Sequence, residues 1–231
     1  MDGIINIYKP KGITSYDVIR FIKKNCYFKK KIGHCGTLDP LAEGVLIVCF
    51  GKGTKLSNLL INQEKEYITK LLLGIETDTL DIEGKILNRS KINIGKDEIE
   101  KIIKSFEGEI EQIPPVVSAL KYKGMPYYKL YRKGIIVSPP PRKVLIKKIE
   151  ILDINIPYVE FKVVCSRGTY IRALCRDIGK MVGCGAVQDE LKRTRIGPFK
   201  IEESIKLEEI LEKGLNKFLI PIDQVLNYIK R

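Results

Sequence analysis

The only histidine of the chain, His34, and an aspartate five residues further on, Asp39, lie in the stretch HCGTLDPLAEGVLIV. Asp39 precedes Pro40, and Gly33, Gly36 and Gly44 surround the pair. Asp-Pro is a favoured turn dipeptide, so one reading is a residue that only shapes a loop. The other is a carboxylate on a stiffened loop beside a buried strand, placed to act as nucleophile or base. Glycines allow the backbone to approach a ligand closely. A glycosidase would need a second carboxylate across the scissile bond, and Glu43 sits on the same short loop. A metal site would need more oxygen or nitrogen ligands than this loop offers. A lone carboxylate that is to stay ionised away from water needs a neighbouring cation, because burial alone would neutralise it.

CSRGTYIRAL supplies such a cation. Arg172 falls in the first turn of an expected helix, where a cation is disfavoured unless an anion holds it. Asp39 is the expected partner, since a planar guanidinium grips a carboxylate through two hydrogen bonds. A surface arginine is the alternative. Tyr67, in KEYITKL, reads as a half-buried strand residue or as a face on which a base stacks. His34 reads as a satisfied turn residue, a general base or a base stacker.

These residues need elements to position them. Residues 3–8 read as a short strand, and Thr14 with Asp17 forms a capping-box pattern ahead of Val18, Phe21 and Ile22 on one helical face. EGVLIVCFG has the unbroken apolar pattern of a strand buried on both faces. GTKLSNLLI opens a helix, EYITKLLLG is a strand, and DIEGKI turns into another. Ile99, Ile102, Ile103 and Phe106 mark an amphipathic helix, YVEFKVVCS a strand and TYIRALCRDIGKMV a helix. LKRTRIGPF is extended and LEEILEKG helical. Residues 113–141, rich in Pro, Lys and Tyr, read as a mobile, exposed insertion with one short helix. Strands and helices mix without regular βα alternation, which points to α+β. GKGTKL and GCGAVQ begin G-x-G but lack the rest of a nucleotide-binding pattern, and read as turns.

With 231 residues, 44% hydrophobic and 30% charged, the chain can bury a core. No apolar run approaches bilayer length, and the N-terminus has no signal-peptide pattern, so a cytoplasmic protein is expected. A net charge of +13 points to an anionic partner, nucleic acid first. Basic clusters at 29–31, 121–123, 142–143 and 192, 193 and 195 suit phosphates. Tyr122, Tyr127, Tyr128 and Tyr131 add stacking surfaces, unless half of them are core. The six cysteines lack Cys-x-x-Cys spacing and read as small buried hydrophobes, Cys35 having the most interesting neighbours.

Together these stretches resemble the TruB family of tRNA pseudouridine synthases. NIYKPKGITSYDV resembles its N-terminal Lys-Pro motif, GHCGTLDPLAEGVLIV its catalytic-aspartate motif, and KEYITKLLLGIETDTLDIEGKI its tyrosine-bearing strand and T-x-T-x-D-x-x-G segment. PPVVSALKYKGMPYYKLYRKG resembles its RNA-gripping insertion, and SRGTYIRAL and LKRTRIGPF complete the set, from about residue 2 to about 225.

The resemblance implies an α+β pseudouridine synthase fold: a mixed, mostly antiparallel central sheet flanked by helices. One catalytic domain is expected over 1–231, with 113–141 inserted in it. The family's small C-terminal PUA domain is expected to be missing. The implied activity is isomerisation of uridine 55 in the TΨC arm of tRNA, by a monomer without cofactor or metal. In it, Asp39 is the nucleophile and Arg172 its salt-bridge partner. Tyr67 stacks on the uracil, Tyr170 lines the pocket and Leu191 lies beneath the base. His34 enters the T-loop, and Lys9 and Pro10 brace the catalytic loop. A base must leave its stack before any of these can reach it. An RNA chaperone that opens the tRNA elbow and a guide-dependent synthase of the dyskerin type are the competing readings.

Overall fold

The computed structural model describes residues 2–230. The chain forms two compact units, one made of Met1–Tyr67 and Lys192–Arg231, the other of Ile68–Leu191.

The first unit opens with β1 (Gly3–Lys9), α1 (Ser15–Asn25), β2 (Ile32–Cys35), β3 (Glu43–Phe50), a short α2 (Ser57–Ile61) and the start of β4 (Lys65–Leu73). The second continues with β5 (Ile75–Thr77), β6 (Ile86–Arg89), α3 (Lys96–Lys104), β7 (Gly108–Gln112), β8 (Lys121–Tyr122) and β9 (Met125–Pro126). It closes with α4 (Tyr127–Arg132), β10 (Arg142–Asn155), β11 (Tyr158–Cys165), α5 (Ile171–Val182) and the first part of β12 (Ala186–Ile196). Back in the first unit are the end of β12, β13 (Phe199–Lys200), α6 (Leu207–Lys213), β14 (Ile220–Pro221) and α7 (Ile222–Lys230). The fold is α+β, with a large, mostly antiparallel sheet.

In the first unit the strand order is β14-β1-β3-β12, with β2 also on β3. The unbroken apolar run of β3 has a direct cause. Leu46, Val48 and Phe50 enter one core with Ile5, Ile7, Val18, Ile22 and Leu207. Val45, Ile47 and Cys49 enter another with Ile4, Cys35, Leu60, Phe199 and Val225. Alternate side chains point to opposite faces, so both faces are dry. The expected cap is present: Thr14 accepts from the Asp17 amide, and the Asp17 side chain accepts from the Thr14 amide. It aims α1 so that Val18 and Ile22 are buried while Phe21 is half-buried.

Gly44 does more for packing than for a ligand. It lies opposite Arg193 where β3 and β12 run parallel, and its φ is 106°. A Cβ there would sit 2.2 Å from the Arg193 carbonyl oxygen, so no side chain fits between the strands.

In the second unit β12, β4, β11, β10 and β7 follow one another. On β11, Val159, Phe161, Val163 and Cys165 alternate inward. The 14-residue β10 has no clear period in its sequence, because bulges between Ile146 and Lys148 and between Ile151 and Asp153 shift its register. Residues 113–141 carry one short helix, α4, and a small β8–β9 hairpin. Ile113, Ile135 and Ile136 are exposed, whereas Tyr127 and Leu130 are buried. The Tyr131 hydroxyl donates to the Asp78 carboxylate, fastening α4 to the turn before β6.

Candidate active site

Asp39 occupies a tight loop between β2 and β3 that is gripped by its backbone at almost every residue. The amide of Ala42 closes a turn on the Asp39 carbonyl at 3.0 Å. Ser15, buried at the start of α1, accepts from the Leu38 amide at 2.8 Å and donates to its carbonyl at 3.0 Å. The Pro40 carbonyl accepts from the Gly12 amide at 2.8 Å and from Lys9 Nζ at 3.4 Å. Arg193 reaches the Gly36 carbonyl at 2.9 Å and the Thr37 carbonyl at 3.5 Å, while its Nε donates to Val45 on β3 at 2.8 Å. Leu38 and Ala42 are buried and Asp39 is half-buried. The loop is a rigid mount for one carboxylate.

Two buried cations hold that mount. Lys9 is fully buried, and its ammonium also donates to the carbonyls of Pro10 at 2.9 Å and Ile13 at 2.7 Å. Burial pushes its pKa down to about 8, against the pull of the Asp39 charge and with the push of Arg193. The unfolded chain would keep this proton up to its ordinary value near 10.5. Between those values the unfolded state binds more protons, so stability rises with pH. The cost of burying the ammonium is full below about pH 8 and relieved by about 10.5. Urea unfolding of the wild-type chain and of Lys9→Met should show the wild type gaining relative stability from pH 8 to 10.5, by at most about 1.4 kcal/mol per pH unit.

Arg193 corrects the sequence reading, which placed it in a phosphate-binding cluster. It is 1% exposed and serves carbonyls. Its neighbours are also engaged: Lys192 pairs with Glu43 at 2.9 Å, and Arg195 with Glu64 at 2.8 Å. Arg193→Met would leave the Gly36 and Val45 carbonyls without this donor. A loss of about 3 kcal/mol is expected, read by chemical denaturation. The sequence signal for Arg193 and Ser15 is weak, since Ser15 looks like an ordinary polar residue at a helix start and Arg193 like one more cation of a basic run.

His34 lies on β2 opposite Val48, in a strand and not in a turn. Its Nδ1 is buried and has no hydrogen-bond partner among the described residues. Burial and the Arg193 charge hold its pKa below the usual imidazole range, so the ring is neutral at pH 7. The Cys35 and Cys49 sulfurs meet at 3.2 Å in the core. Tyr67 is 8% exposed on β4, sharing a face with Lys65 and Thr69.

The second unit holds the other predicted residues. Tyr170 caps α5, and Gln112 fixes it by accepting from its amide at 2.8 Å and donating to its carbonyl at 3.1 Å. Arg142 lies 5.5 Å over its ring, and Lys143 pairs with Glu109 at 2.9 Å. Gln112, fully buried, is a positioning residue that sequence reasoning missed. Arg172 is buried in the first turn of α5, as expected. Within its unit it donates to the Thr79 carbonyl at 2.8 Å and the Val117 carbonyl at 3.0 Å, and pairs with Asp81 at 3.5 Å. Thr79 Oγ1 in turn donates to Asp81 at 2.6 Å. The T-x-T-x-D turn thus supplies an anion for the helix-start arginine, a partner not foreseen from the sequence. Leu191 is buried on β12. Lys9, Pro10, His34, Asp39 and Tyr67 therefore belong to one unit, and Tyr170, Arg172 and Leu191 to the other. Among the described residues no group of three metal-ligating side chains occurs, and no helix is long and apolar enough to cross a membrane.

Comparison with solved structures gives the class. The chain superposes on a chain of the Cbf5–Nop10–Gar1 complex with a TM-score of 0.76 at 33% identity, covering 98% of this chain and 62% of that one. A chain of an H/ACA RNP bound to a substrate RNA containing 2′-deoxyuridine gives 0.73 at 31%, covering 98% and 61%. The chain thus spans less than two thirds of those structures, and its fold is that of the pseudouridine synthases.

Its family is narrower. Residues 24–171 match the N-terminal domain of the TruB family pseudouridylate synthases, and 172–227 match the tRNA pseudouridylate synthase B C-terminal domain. Curated relatives called tRNA pseudouridine synthase B are 52% identical in Clostridium tetani, covering all of this chain and 80% of that protein, and 48% identical in Clostridium kluyveri, covering 98% and 78%. The chain belongs to the TruB family.

Proposed function

We propose that this chain isomerises uridine 55 in the TΨC arm of tRNA to pseudouridine, with Asp39 as the catalytic carboxylate. The observation that carries the reading is the Asp39 loop, held through residues 36, 37, 38 and 40 by Arg193, Ser15, Gly12 and Lys9. The family relationship supports tRNA as the substrate.

In this reading the target uridine flips out of its stack. The bond between C1′ and N1 breaks, the uracil turns within the site, and a bond forms between C1′ and C5. C5 gives up its proton and N1 gains one, so the reaction is an isomerisation with no net change of oxidation state. In this proposal Asp39 is the nucleophile and Arg172 its salt-bridge partner. Tyr67 stacks on the uracil and takes part in removal of the C5 proton. Tyr170 and Leu191 line the pocket and keep the detached base from escaping. Neutral His34 enters the T-loop, and Lys9 and Pro10 brace the catalytic loop. The cytoplasm, where tRNA resides, is the expected site of action.

Pseudouridine mapping of unmodified tRNA treated with the purified chain tests this directly. One new pseudouridine at position 55 is expected, without guide RNA. No product on naked tRNA, with product appearing only in a guided assembly, would favour the ribonucleoprotein-type reading that the solved neighbours suggest.

A further inference from the structure

The helix that clamps the catalytic loop carries a cationic and aromatic stripe on its other side. Helix α1 buries Ser15, Val18, Ile19 and Ile22. Tyr16, Arg20, Lys23 and Lys24 are exposed on it, and Tyr27 and Lys29 continue the exposure just beyond its end. Residues 16, 20, 23 or 24 and 27 follow helical spacing, so they form one stripe as far as the helix lasts. Tyr27 is 88% exposed and Tyr16 52%, uncommon for tyrosine at a surface without a partner. Each ring has a cation beside it, Lys29 at 5.2 Å from Tyr27 and Arg20 at 5.2 Å from Tyr16.

The charge on this stripe is poorly neutralised. Asp17, the only acid in residues 11–31, serves the Thr14 cap and pairs with Arg20 at 2.7 Å. Lys30 pairs with Asp2 at 2.9 Å. Lys23, Lys24 and Lys29 have no carboxylate partner among the described residues.

We infer that this stripe is a second RNA-contact surface, distinct from the Asp39 loop. It takes an unpaired or looped stretch of RNA, with phosphates along Lys23 and Lys24 and bases against Tyr16 and Tyr27. Alternating cations and exposed rings suit RNA better than an acidic protein, because every base offers a face for stacking and every linkage a charge. Because Ser15 of the same helix grips Leu38, RNA seated on the stripe is held in register with Asp39.

This rests on the proposal that the substrate is RNA, but its test is independent of turnover. Fluorescence anisotropy with unmodified tRNA would compare the wild-type chain with Tyr16→Ala/Tyr27→Ala and Lys23→Gln/Lys24→Gln. All four side chains are exposed, and thermal melts would confirm that both variants fold. Each pair should weaken binding about tenfold or more. The lysine pair should also lower the slope of log affinity against log salt by about 1.5, and the tyrosine pair should leave that slope unchanged. Affinity within twofold of wild type in both variants would overturn the inference. If the wild type made no pseudouridine while both variants still lost affinity, the catalytic proposal would fall and the RNA surface would stand.

Discussion

Asp39→Asn should reduce pseudouridine formation by roughly 10⁴-fold or more while leaving tRNA binding within about threefold of wild type. The amide has the shape of the carboxylate but is neither a nucleophile nor a useful base. The loop should keep its place, because its clamps hold backbone atoms: Arg193 on Gly36, Ser15 on Leu38, and Lys9 and Gly12 on Pro40. A secondary consequence distinguishes this variant from a misfolded one. The Asp39 charge supports the Lys9 ammonium, so its removal should push the Lys9 pKa further down. Single-turnover assays on tRNA, with a thermal melt and an NMR titration of Lys9, would check both. A fully active Asp39→Asn protein, shown free of wild type, would remove Asp39 from the chemistry.

Arg172→Lys should slow turnover by about 100-fold with little change in RNA affinity. The buried guanidinium already divides its donors between Asp81 and the carbonyls of Thr79 and Val117. An ammonium is a compact point charge that cannot serve these separated acceptors at once. The same change should cost about 2 kcal/mol of stability, since buried carbonyls lose their donor. Stability and turnover can be separated by assaying well below the melting temperature. The salt-bridge proposal requires that the single-turnover rate fall even where the variant is fully folded. Wild-type rates there would leave Arg172 with a purely structural role, tying the T-x-T-x-D turn to residue 117 and α5.

Much of this was legible in the residues alone. The run from Glu43 to Phe50 announced a strand dry on both faces, because a strand buried on both sides replaces alternation with an unbroken apolar run. Thr14 and Asp17 announced the start of α1, because the cap is a contact between near neighbours. The motif order carried the family. Strand β10 escaped because its bulges break the period on which such readings depend.

Tertiary structure decided the rest. It alone showed that Arg193 is an internal brace and not a phosphate ligand, because its acceptors lie more than a hundred residues away in sequence. It placed Asp81 beside Arg172 and Gln112 on Tyr170, contacts across 91 and 58 residues. Local pattern reveals which residues can form a helix, a strand or a cap, since those interactions span a few positions. Which buried charge meets which carbonyl depends on how distant strands pair, and no short stretch of sequence encodes that.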